Sequence, residues 1–196
     1  MANVDGDVLL SYLRRYIPRS DAEALDVDAV ISLVVDGRAW DRSSPLHVTA
    51  SALIVHPPSR RVLLRWHERQ QGWLQVGGHG DPGEHDPLAV AIREGAEEAG
   101  LADLHPWPTA DLQHVVVVPV PANAREPAHH HADLRFFLAT AQPELASPEQ
   151  PAAKIQWLEP DEAMRLTSED NVKETISRAA ALLTAEAPEV RRTRSI

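Results

Sequence analysis

The stretch from Gly77 to Leu101, GGHGDPGEHDPLAVAIREGAEEAGL, constrains this chain more than any other. It reads as a glycine-rich loop running into one short helix with both ends marked. Asp86 before Pro87 gives an N-cap residue with proline at the first helical position, and Gly100 supplies the residue just past the end. Leu88, Ile92, Gly95 and Ala99 fall at i, i+4, i+7 and i+11, an apolar stripe that can pack on a sheet. Glycine at position 95 costs about 1 kcal/mol of helix propensity relative to alanine, which predicts close approach of the helix to its neighbour.

Glu94, Glu97 and Glu98 fall at i, i+3 and i+4, on a different face. Carboxylates at that spacing repel by about 0.2–0.5 kcal/mol per pair, and two of them sit in the last turn, where the helix dipole disfavours negative charge. For the helix alone the arrangement is a liability. A hard divalent cation with oxygen ligands, Mg²⁺ or Mn²⁺, would turn the repulsion into a binding site. The alternative is a solvated acidic face, the usual meaning of such a cluster when nothing flanks it.

At 196 residues and 43% hydrophobic content, the chain suffices for one domain with a sizeable core plus an appendage, not for two full domains. Its formal net charge of −10 argues against a surface for nucleic-acid polymer or anionic membrane, since both need a basic patch. A polyanionic substrate would then rely on bound metal and a few local cations. The absence of cysteine removes disulfides and thiolate metal sites. The opening MANVDGD has no positive n-region, and no apolar run approaches the ~18 residues of a membrane span, so the expected setting is soluble and cytoplasmic.

Taken in order, residues 1–40 read as a helical extension. Leu9, Leu10, Leu13, Tyr16 and Ile17 follow helical spacing up to Pro18; Ser20 and Glu23 then form a capping box for a second helix that Gly37 closes. Such helices suit a lid, a substrate-side wall, a dimer arm that would make a homodimer, or simple packing against the core. Two strand-like runs follow, His47 to Val55 and Arg61 to Trp66, around a proline turn. The stretch from Gly72 to Val76 leads into Gly77, which puts Trp73 one short strand from the acidic helix; there it either stacks on a substrate ring or, more commonly for such a residue, joins the core. Leu112 to Val120, with Val115 to Val118 in a row, reads as a central strand buried on both faces.

From His131 to Ala141 comes the next strand, where His129, His131, Asp133 and Arg135 alternate on one face and Ala132, Leu134, Phe136 and Leu138 on the other. The polar row suits a substrate pocket, with Arg135 and the histidines facing phosphate. It also fits an edge or solvated face holding an Asp133 and Arg135 pair, and direct metal ligation by the three histidines is a further, weaker reading. Lys154 to Leu158 reads as a last strand, Asp161 to Leu166 and Asn171 to Thr184 as helices, and residues 187–196 as a frayed tail beyond a domain of residues 41–186.

The acidic stretch resembles the Nudix box: glycine, five residues, glutamate, seven residues, then Arg-Glu-aliphatic-any-Glu-Glu-any-Gly-aliphatic. Gly78, Glu84, Arg93, Glu94, Glu97, Glu98, Gly100 and Leu101 take the expected identities. Two departures are visible: eight residues separate Glu84 from Arg93, and the aliphatic position is Gly95. The extra residue falls where loop becomes helix, so it leaves the Arg93 to Leu101 register intact and bears only on the reach of Glu84. Resemblance extends from about residue 47 to 166, and the His-x-His-x-Asp-x-Arg-Phe row with the two-helix extension is similar to one bacterial subgroup that has no single assigned substrate.

The resemblance implies an α+β fold, the Nudix α/β/α sandwich with a mixed sheet. It implies hydrolysis of a small-molecule diphosphate, a nucleoside diphosphate derivative or a nucleoside triphosphate. Glu94, Glu97, Glu98 and the Gly78 carbonyl would hold Mg²⁺ or Mn²⁺, Arg93 would orient Glu94, and Glu94 or Glu149 in the last loop would be the base. A second reading keeps the box for nucleotide sensing or protein binding without turnover.

Overall fold

A computed structural model of the chain describes residues 4–124, 126–150 and 153–185. The first helices are α1 (Val4–Arg15) and α2 (Asp21–Val35), close to expectation. Ser20 caps α2, its hydroxyl accepting the Glu23 amide at 3.2 Å. The expected capping box closes only from that side. The Glu23 carboxylate instead accepts from the Arg19 amide at 2.6 Å and from Arg178 at 2.8 and 3.2 Å, because a buried guanidinium is a stronger partner than a second amide.

Strands β1 (Leu46–His56), β2 (Arg61–His67), β3 (Gly72–Leu74) and β4 (Val76–Gly78) lead to helix α3 (Pro87–Ala99). There follow β5 (His105–Pro106), β6 (His114–Val120), β7 (His129–Ala139) and β8 (Ile155–Leu158), then helices α4 (Pro160–Leu166) and α5 (Asp170–Ala185). The strands form one mixed sheet of eight. At its centre β1 and β7 run parallel from Leu46 opposite His130 to Val55 opposite Ala139.

One side of the sheet, with Val48, Ala50, Leu134, Phe136 and Leu138, is covered by residues of α1, α2 and α3, while Leu53, Val55, Val62 and Phe137 on the other meet α4 and α5. This is the expected α/β/α layering. The centre of the sheet differs from the sequence expectation. Among the described residues β6 pairs with β7 alone, and Val116, Val117 and Val118 are only half-buried, so the valine run is an edge strand. Its outward Val117 amide is covered by Asp26 of α2 at 3.0 Å, which leaves less of the edge open to pairing.

Near the acidic helix the sheet divides. β1 pairs with β2 only from Ile54 to His56; earlier, at Ala50 to Ala52, it pairs with β4. β3 stays with β2, so the chain crosses from one strand to the other at Gln75. That crossing delivers Gly77 and Gly78 to the Glu94 and Glu98 side of α3.

The N-terminal helices pack on the core. Leu9 and Val30 are fully buried, and Tyr12 meets Phe136 edge-on at 5.5 Å between ring centroids. Arg178 of α5 fastens them further, donating to Glu23, to the Tyr16 hydroxyl at 2.9 Å and to the Gln113 carbonyl at 2.8 Å. Among the described residues no helix is long and apolar enough to cross a membrane. The tail at 187–196 lies outside the described residues.

Burial alone would raise the Glu23 pKa, but hydrogen bonds from Arg178, Tyr16 and the Arg19 amide outweigh it and hold the carboxyl down to about 2. A depressed carboxylate stabilises the fold above its unfolded value of 4.5, and that contribution is lost as pH falls toward about 2. Glu23→Gln should cost about 3 kcal/mol at neutral pH by leaving Arg178 under-compensated. In urea melts the gap between wild type and variant should hold steady down to about pH 5 and close below it.

Candidate active site

Helix α3 starts and stops where its caps require. Asp86 Oδ1 accepts the Leu88 amide at 3.0 Å, and Gly100 adopts a left-handed φ of 65°. The buried stripe, however, is rotated from the expected one: Pro87, Val90, Ala91, Gly95 and Ala99 are buried, with Leu88 and Ile92 half-buried at its margin. Small residues let the helix sit closer than Leu88 and Ile92 would. A Cβ at Gly95 would stand 2.9 Å from Leu104 Cδ1, which confirms the predicted close approach.

Docking so turns the acidic face toward the Gly77-Gly78 strand, and Arg93 gathers the carboxylates there. Its Nε donates to both Glu84 oxygens at 3.0 and 3.1 Å, its Nη1 to Glu94 at 3.0 Å and Glu97 at 3.1 Å, and its Nη2 to Glu84 at 2.9 Å and the His79 carbonyl at 2.9 Å. Glu84 also accepts the Asp81 amide at 2.8 Å, so the longer loop still brings it to the cluster, as a partner of Arg93.

Glu98 lies deeper, between the Arg65 guanidinium at 2.8 Å and the Gly77 amide at 3.1 Å. Burial pushes its pKa up to about 7 against those two partners. Burial likewise raises Glu94, against Arg93. Gly78 closes over the Glu94 carboxylate so tightly that a Cβ would lie 2.6 Å from Glu94 Cδ. Oxygen-only donors, buried and raised in pKa by desolvation and mutual repulsion, fit a hard divalent cation. Glu149 is exposed on the loop after β7, and its charge adds to the upward push on Glu98.

The polar row of β7 divides into two parts. Asp133 and Arg135 are buried and paired at 2.7 Å. Arg135 spends its remaining donors on the Asn171 carbonyl at 2.9 Å, the Thr175 hydroxyl at 2.9 Å and Asn171 Oδ1 at 2.7 Å, all on α5. Asp133 accepts from Thr49 at 3.1 Å and Ser51 at 2.8 Å on β1; burial would raise its pKa, and Arg135 with these hydroxyls lowers it instead. Gln75, at the strand crossing, reaches Asp133 at 3.5 Å.

His129 and His131, half-buried, continue the row toward two histidines that the sequence reading left aside, His47 of β1 and His79 after β4. His47 Nε2 stands 3.0 Å from His79 Nε2, and His129 Nε2 stands 3.1 Å from His131 Nε2. Burial drives the His47 pKa down, that of His79 to about 3 and that of His131 to about 4, so these rings are neutral at physiological pH. Trp73 is half-buried on β3, edge-on to Trp66 across the strand pair at 5.8 Å, and packs against the core beside α4 and α5.

Arg65 was legible only as a strand residue, and His47 and His79 stood far apart in sequence. A basic residue on the apolar side of a strand was the one available signal for Arg65, since it called for an acidic partner.

The NUDIX domain family matches this sequence over residues 45–179. The chain belongs to the Nudix family. It stands among hydrolases of phosphoric anhydride bonds. Similar solved structures include the E. coli dihydroneopterin triphosphate pyrophosphohydrolase, 21% identical over 71% of this chain and 97% of that one, with a TM-score of 0.55. A C. elegans Ap4A hydrolase in a binary complex is 19% identical over 70% of this chain and 98% of that one, TM-score 0.56. A Nudix-family hydrolase from Clostridium perfringens is 23% identical over 70% and 97%, TM-score 0.52. At these identities the likeness establishes the Nudix fold. No curated protein matches the chain in sequence.

Because the end of the Glu94 side chain can swing while the Gly78 backbone cannot, Gly78→Ala should leave this Nudix domain folded but move Glu94 off the cluster. Millimolar Mg²⁺ should raise the melting temperature of wild type by mass action and raise that of Gly78→Ala distinctly less, as read by differential scanning fluorimetry.

Proposed function

We propose that this chain is a metal-dependent Nudix hydrolase that cleaves the diphosphate linkage of a nucleoside diphosphate derivative or a nucleoside triphosphate. The observation that carries the reading is the carboxylate cluster assembled by Arg93 against the Gly77-Gly78 strand, with every acidic box position in place. Glu94, Glu97, Glu98 and the Gly78 carbonyl would hold Mg²⁺ or Mn²⁺, which when bound offsets charge on phosphoryl oxygens and acidifies water.

The chain's own residues supply the rest. Arg93 fixes Glu94 and Glu97 by charge-assisted hydrogen bonds, so their oxygens keep their places as charge develops on the substrate. Glu94 takes the proton of the attacking water; its raised pKa brings its basicity nearer that task. Glu149, close enough to act on Glu98 electrostatically, is the alternative base. His129 and His131 border the substrate, while Asp133 and Arg135 act from beneath, locking β7 to β1 and α5. The arrangement needs only a small-molecule substrate and no nucleic-acid polymer.

The test is a panel of nucleoside diphosphate derivatives and triphosphates with Mg²⁺, products followed by mass spectrometry, on wild type and two variants. Glu98→Gln should lower kcat more than about a hundredfold, by removing a donor that no neighbour replaces. Glu84→Gln, which keeps the shape of a partner for Arg93, should lower it less than about tenfold, roughly 1.4 kcal/mol of barrier. Equal losses would place Glu84 among the groups that act directly. Tight nucleotide binding without any product would instead favour a sensing module.

A further inference from the structure

We propose that His47, His79 and His131, with His129 beside them, form a second metal site, one that takes a borderline transition-metal dication of the zinc type. It is a separate site by its chemistry, nitrogen donors in place of carboxylates, and it stands whether or not the diphosphate reading above holds.

One ligand nitrogen from each of His47, His79 and His131 lies within 4.8 Å of the others. Tetrahedral zinc with Zn–N of about 2.0–2.1 Å sets its nitrogens about 3.3 Å apart. The Nε2 contacts of 3.0 Å between His47 and His79 and 3.1 Å between His129 and His131 fall slightly short of that spacing, so these nitrogens are already as close as coordination requires. The ring centroids agree, at 4.7 Å for His79 to His131, 5.0 Å for His47 to His131 and 4.9 Å for His129 to His131.

A second observation concerns what lies behind the rings. His47 Nδ1 stands 3.0 Å from the Ser44 carbonyl and His129 Nδ1 stands 2.9 Å from the Pro127 carbonyl. A carbonyl only accepts, so each Nδ1 carries the proton and each Nε2 presents its lone pair to the cluster. Metal-binding histidines are oriented in the same way, by an outer N–H to a carbonyl or carboxylate. The scaffold is rigid as well. His47 and His131 are directly opposite in the parallel β1 and β7 pair, and His79 follows the Gly78 that pairs with Ala50.

An all-imidazole set discriminates against Mg²⁺, which takes oxygen ligands and sheds water reluctantly, and favours Zn²⁺, Co²⁺ or Ni²⁺. A purely structural cluster would bind no such ion. Neighbouring rings would then only share protons in pairs.

The test is equilibrium dialysis of the full chain against Zn²⁺ in excess Mg²⁺, with Co²⁺ and its visible d–d absorption as a second probe. Wild type should retain one Zn²⁺ per chain. His47→Ala and His131→Ala should each weaken Zn²⁺ binding beyond the roughly 10–100-fold that disturbing an orienting partner costs, and Glu97→Gln and Glu98→Gln should keep it. Failure of wild type to retain Zn²⁺, unchanged binding in both histidine variants, or loss in the glutamate variants alone would each overturn the proposal. Should the histidine variants not fold, ¹⁵N NMR of wild-type imidazoles decides the matter. Zn²⁺ must shift the ring nitrogens of His47, His79 and His131, and unmoved signals would refute the site.

Discussion

Arg93 makes the acidic face of α3 compatible with a folded chain. Its guanidinium reaches Glu84, Glu94, Glu97 and the His79 carbonyl together, so one planar cation spans the loop, the helix and the strand end. A lysine could not do this. Its ammonium is a compact point charge, whereas the guanidinium fork presents five donors in fixed directions. The remaining box glutamate, Glu98, is out of that reach and is met by Arg65 from another strand. Two guanidiniums, one from α3 and one from β2, thus hold four carboxylates, three on α3 and one on the loop before it.

The placement of those elements follows from the division of the sheet. Because β2 leaves β1 after three paired residues, β4 can take the vacated edge of β1 and present Gly77 and Gly78 to α3. Gly78 fits against Glu94, and Gly95 lets the helix come close enough for that contact. On the opposite side of the sheet the Asp133 and Arg135 pair joins β7 to β1 and α5, at the height where the strand pair turns from apolar to polar. Breaking such a buried pair costs about 3–5 kcal/mol, more than most single contacts, so this junction of β7, β1 and α5 is stiff.

Local signals made much of this legible. The caps of α3, the i, i+3, i+4 carboxylates and the box spacing are all properties of short windows, and they placed the helix and its acidic face correctly. Gly95 and Ala99 of the expected stripe are buried; its rotation was missed because hydrophobicity alone favoured Leu88 and Ile92, whereas close packing favoured Val90 and Ala91. The valine run was misplaced for a related reason: β-propensity shows that a segment forms a strand and says nothing of how many neighbours it has. The partnership of His47 with His79 was beyond reach of any window, since it is made across strands, and Arg65 carried only the signal of a basic residue in an apolar strand.

Charge balance ties the site to its ligands. Four carboxylates, Glu84, Glu94, Glu97 and Glu98, face two guanidiniums, so full ionisation leaves about two negative charges uncompensated on a chain whose formal net charge is already −10. Burial of Glu98, with the repulsion of Glu94 and Glu149 added to it, pushes its pKa up to about 7, where it is partly protonated and the excess is smaller. A diphosphate brought to the cluster would raise the local negative charge further and favour still more protonation. A divalent cation would cancel the same excess, at oxygens that Arg93 and Arg65 already hold in place. The proposed cation would in this way let the acidic cluster meet an acidic substrate, with the two arginines holding the oxygens that would bind it.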